Sequence, residues 1–188
     1  MKKSITLLLL LTLIAVIGCA PQIGYNFKIV KPIENSQMAF SDKYISIAFA
    51  LRETWYKGVE GMSQYDNFEG VSFILRNKTN EMMTIDWNKI SFKDYTGSSG
   101  NAIMHTGIKY KDCSSFKNPT IIPPRGKLND IITPCYAVNF SRYNPRWEVH
   151  MLPSPRKLPN VIFGFYMPIK IGDKEHNYEF DFRATTNK

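Results

Sequence analysis

Three cysteines, three histidines and sixteen carboxylates are the side chains of this 188-residue chain best suited to chemistry. Their spacing argues against most of it. No Gly-x-Ser-x-Gly elbow and no His-Glu-x-x-His pair occurs, so neither an exposed serine nucleophile nor a helical zinc site is encoded. His105, His150 and His176 stand at no ligand spacing from Cys113 or Cys135, and no metal or other cofactor is expected. Gly97 and Gly100 resemble half a phosphate loop, but no Lys-Ser/Thr follows them. Asp42, Asp86, Asp94 and Asp112 could include an acid pair for hydrolysis, yet aspartate at such sites more often accepts backbone N–H bonds in turns. No catalytic residue is assigned, and a non-enzymatic protein is expected.

Cys19 stands apart from these groups by its position. Lys2 and Lys3 precede a nearly unbroken apolar run, Ile5 to Ile17, which ends at Gly18 and Cys19. A basic start, a short oily stretch and a small residue before the cut are the parts of a secretory signal. The run falls short of the ~20 residues a spanning helix needs. Val16-Ile17-Gly18-Cys19 closely resembles the lipobox of bacterial lipoproteins. That resemblance implies cleavage after Gly18, acyl chains on Cys19, and a body held at a membrane. Ala20 in the next position resembles the default for the outer membrane, periplasmic face, in a diderm host. The expected organisation is a signal peptide over 1–18, a lipidated Cys19 and tether over 19–26, and a folded domain over 27–188. In an exported chain the remaining Cys113 and Cys135 form an even pair, read as a disulfide; two buried free thiols are the alternative.

Charge narrows the partners. The leader holds two of the 24 basic residues and no acid, which leaves 22 basic against 16 acidic residues beyond it. The whole surplus falls between Lys109 and Asn160, where nine basic residues meet only Asp112, Asp130 and Glu148. Such a bias reads either as a solvated face or as a patch for an anionic lipid, glycan or protein surface. Nucleic acid is not expected, since no recognition motif accompanies the charge. Within the biased segment Arg142, Tyr143, Arg146, Trp147, Arg156 and Lys157 mix arginine with aromatic rings, as interface hot spots do. The competing reading folds the rings Tyr136, Phe140, Tyr143 and Trp147 inward to close the end of the domain.

The elements that must position these residues are strands. Ile45, Ile47, Phe49 and Leu51 alternate with Ser46, Ala48 and Ala50; Val71, Phe73 and Leu75, then Met83, Ile85 and Trp87, repeat the pattern. Phe163, Phe165, Met167, Ile169 and Ile171, a Gly172-Asp173 turn, and Tyr178, Phe180 and Phe182 predict a long hairpin with one oily face. Pro168, which lacks a donor, is expected at an edge or a bulge. No helical periodicity is sustained. Eight to ten turn-punctuated strands in one domain predict an all-β fold, a single antiparallel β-sandwich of immunoglobulin-like layout, with a small β-barrel as the alternative. The expected function is that of a membrane-anchored envelope lipoprotein acting as an interaction or structural component; a lipid- or glycan-binding carrier is the second reading.

Overall fold

Period-two alternation becomes strand wherever the sequence is richest in it. The computed structural model describes residues 25–54, 67–100, 102–142, 146–153 and 157–186. Its first sheet runs β1 (Tyr25–Lys31), β14 (Lys174–Thr186) and β13 (Asn160–Ile171). Along its other edge β13 pairs with β5 (Met83–Ile85) and β6 (Ser91–Lys93) in succession; β9 (Thr120–Ile122) lies outside β5 and β7 (Ser99–Gly100) outside β6. The second sheet is β2 (Ala39–Ser41), β3 (Ile45–Thr54), β4 (Asn67–Asn77), β10 (Lys127–Pro134) and β8 (Ile103–Met104). A separate hairpin joins β11 (Val138–Ser141) to β12 (Arg146–Val149).

Among the described residues no ladder joins the two sheets, so the fold is an all-β sandwich and not a closed barrel. The inner faces hold the residues that alternation selects. Ile45, Ile47 and Phe49 of β3, Val71, Phe73 and Leu75 of β4, and the odd-numbered apolar residues of β13 are buried. Rings bridge the layers: Phe49 lies 4.9 Å from Phe180 and 5.1 Å from Phe182, and Phe40 5.9 Å from Phe180. Aromatic pairs at this separation contribute about 0.5–1.5 kcal/mol each beyond the apolar area they bury.

Pro168 departs from expectation, because β13 is an interior strand of its sheet. The physical reason lies beside it. β6 pairs with β13 up to Tyr166 and β5 takes over at Ile169, while Trp87–Lys89 forms a single 3-10 turn between them. A residue without an N–H donor therefore sits where the neighbouring ladder is already broken. Trp87 is buried at this break and its indole N–H donates to Thr120.

Ladder registers define two poles. At one, Ile171 pairs with Lys174 across the β13–β14 turn and Ile45 pairs with Asn77. The fully buried Asn77 side chain locks that pole, donating to the carbonyls of Glu81 and Pro123 and accepting from Thr79. At the other, Tyr25 pairs with Thr186, Asn160 with Thr185, and Thr54 with Asn67. β1 opens there at Tyr25, which is buried and in register with Thr186 of β14. The described strands and the described core lie between Tyr25 and Thr186.

Candidate interaction surface

The expected disulfide is present: Cys113 and Cys135 are bonded, at a sequence separation of 22. It ties the 3-10 turn Tyr110–Asp112 to the exit of β10, across the base of the β9–β10 unit. Lys117 caps the stapled loop from inside, its ammonium donating to the carbonyls of Cys113 and Ser115, both at 2.7 Å. Burial pushes its pKa down. A buried amine that spends its protons on carbonyls is a structural cap.

Of the acids singled out as chemical candidates, Asp42, Asp86 and Asp94 are spent on turns, and Asp112 ends the 3-10 turn Tyr110–Asp112. Asp42 accepts from the N–H groups of Tyr44 and Ile45 and from the Tyr178 hydroxyl. Asp86 accepts from Asn88 at the start of its 3-10 turn, and Asp94 from Thr96 and Ser98. Sequence reasoning missed Asp130, which is buried and accepts from the Thr106 and Ile131 N–H groups, both at 2.8 Å. Burial works to raise its carboxyl pKa, but the bonds from His105, Thr106 and Ile131 outweigh that and hold it below the usual range. His105 stacks on Trp87 at 4.1 Å, and its Nδ1 lies 3.5 Å from Asp130. Nothing in the one-dimensional pattern marks Asp130, because its partner Thr106 lies 24 residues away.

The basic surplus of 109–160 does not form one patch. Lys117 is buried, while Lys127 lies at the pole of Ile45 and Asn77, in register with Arg76. Arg142 and Lys157 are exposed and belong to segments that lead to the opposite pole, where β1 begins. Two observations place them. β10 runs from Lys127 toward that pole and feeds the β11–β12 hairpin, which Arg142 follows out of β11. The Tyr25 hydroxyl donates to the carbonyls of Leu158 at 2.6 Å and Pro153 at 3.2 Å, so the stretch leading into β13 crosses the first residue of β1. Arg146 and Trp147 lie on β12, paired with Ser141 and Phe140. Tyr143 and Arg156, like Cys19, lie outside the described residues.

The aromatics of this region do not all turn inward. Tyr136 is 49% and Phe140 51% exposed. Tyr136 rests edge-on against Phe92 at 6.2 Å, and the partial burial pushes its phenol pKa up. Leu158 and Ile162 add exposed aliphatic surface at the same pole, Ile162 facing outward opposite Arg183 in the β13–β14 ladder. The arrangement suits contact with a surface: separated cations, half-exposed rings and a rigid ladder behind them. The concavities that accompany it are shallow. One, of about 410 Å³, lies along the outer faces of β2, β3 and β4, and another, of about 270 Å³, lies over Gly164's neighbours Lys93, Tyr166 and Asp181. Among the described residues no group of three or more His, Cys, Asp or Glu side chains could hold a metal. Compared with protein-family models, with curated proteins and with solved structures, the chain finds no match.

Proposed function

We propose that the chain is an acyl-anchored cell-envelope lipoprotein, a non-enzymatic interaction or structural component carried on a rigid β-sandwich. The single observation behind this reading is Cys19 at the end of the apolar run, within Val16-Ile17-Gly18-Cys19. Two acyl chains turn marginal membrane binding into stable anchoring, since each buried methylene contributes about 0.8 kcal/mol. The start of β1 supports the reading: its first residue, Tyr25, stands six positions after Cys19, a spacing that suits a domain riding close to its membrane. The packing of Phe49, Phe165, Phe180 and Phe182 between the sheets favours an interaction role over a carrier, because a carrier needs an apolar hollow where those rings meet.

The test is made on cell-derived protein. Metabolic labelling with an alkyne fatty acid and intact-mass measurement should find an acylated chain that begins at Cys19 and enters the detergent phase of a Triton X-114 extract. Cys19→Ser should abolish the label and the partitioning together. A wild-type chain that starts elsewhere, or carries no acyl mass, overturns the reading.

A further inference from the structure

We infer that the pole where β1 begins is a second membrane contact, docking on the anionic phospholipid head groups of the bilayer that holds the acyl chains. The inference rests on the lipoprotein reading for its orientation and on the geometry of the pole for its chemistry.

The chain between anchor and body sets the distance. From Cys19 to Tyr25 there are six peptide steps, at most about 22 Å when extended. The sandwich is longer than that: β13 alone has 12 residues, a strand of about 40 Å. Tyr25, in register with Thr186, fixes the tether to one pole, so that pole faces the lipid and the β13–β14 turn faces away.

The side chains on the tethered pole match a head-group layer. Phe140, Leu158 and Ile162 are each between 39% and 51% exposed, and Arg142 and Lys157, two residues from Phe140 and one from Leu158 in the chain, are exposed as well. Aromatic rings prefer the boundary between head groups and hydrocarbon, and each lysine or arginine near an anionic leaflet contributes about 1 kcal/mol of attraction. At the far pole Lys89 is paired with Glu175 at 2.8 Å. The sequence between β3 and β4, residues 55–66, carries Lys57, Glu60 and Asp66, so the attraction is assigned to Arg142 and Lys157 and not to the net charge of the chain.

The experiment uses the chain from Ala20 onward, without acyl groups, since every described strand lies within it. Flotation is measured with vesicles of phosphatidylcholine alone and with 30% phosphatidylglycerol. The expected result is about tenfold stronger binding to the anionic vesicles, falling to the neutral level in Arg142→Glu/Lys157→Glu. Lys127→Glu/Lys174→Glu, reversed at the far pole, should bind as the parent does, and thermal melts of both pairs should match the parent. Equal binding to both vesicles, no binding, capture by a protein partner alone, or an equal loss from the far-pole pair overturns the inference. Because no acyl chain is present, a negative result here leaves the mass of cell-made protein to judge the anchor separately.

Discussion

Asp181 lies over Gly164, its cross-strand partner in the β13–β14 ladder, and both of its carboxylate oxygens come within 2.8 Å of the Lys93 ammonium. Lys31 of β1 stands 3.6 Å away on the other side. The row Lys31–Asp181–Gly164–Lys93 thus crosses four neighbouring strands of the first sheet, and Asp181 is only 4% exposed although it faces outward. A Cβ on residue 164 would meet the Phe180 carbonyl at 2.3 Å and the Asp181 carboxylate at 2.4 Å. The first of these is backbone and cannot swing aside. Gly164→Ala should cost about 2–3 kcal/mol, read as a lower urea midpoint. A midpoint equal to the parent's would show that the Phe180 carbonyl and the Asp181 carboxylate do not close over residue 164.

Asp130 should give the protein an acid-sensitive share of its stability. Its folded-state pKa lies below the usual value of about 3.9, so the carboxylate stabilises the fold fully above that value. The contribution is lost as pH falls through the lower, folded-state pKa. Asp130→Asn should therefore lower stability by about 1–2 kcal/mol at pH 7, with the gap from the parent closing below about pH 4. A gap that stays constant from pH 7 to pH 3 would contradict the assignment.

The disulfide closes a loop with a sequence separation of 22. In the chain-entropy account, removing it by Cys113→Ser/Cys135→Ser should cost on the order of 3 kcal/mol. In native protein both sulfurs should resist alkylation until a reductant is added. Ready labelling of unreduced protein would show that the bond does not form in the cell.

Tyr25→Phe removes a donor that reaches the Leu158 and Pro153 carbonyls. Loss of about 1 kcal/mol is expected, together with faster amide exchange confined to the segment before β13. Uniform acceleration across the sandwich would instead mean that Tyr25 acts through the core alone.

The strands were legible along the chain because one face of each is oily and the spacing of side chains on a strand is two. Ile45 to Leu51, Val71 to Leu75 and the Val161–Phe182 hairpin needed nothing beyond that alternation, and the even cysteine pair anticipated the bond that the fold contains. Three-dimensional pairing settled the rest. Pro168 tolerates an interior strand only because β5 and β6 leave a break beside it. The basic surplus looked like one patch because its residues are consecutive in order; the sandwich buries Lys117 and carries Lys127 to the pole opposite Arg142 and Lys157. Asp130 and Asp181 are held by groups 24 and 88 residues away, through contacts no local pattern records. Local periodicity is a property of backbone geometry and can be read residue by residue, whereas which surfaces share a pole depends on ladder register, and register exists only once distant strands have met.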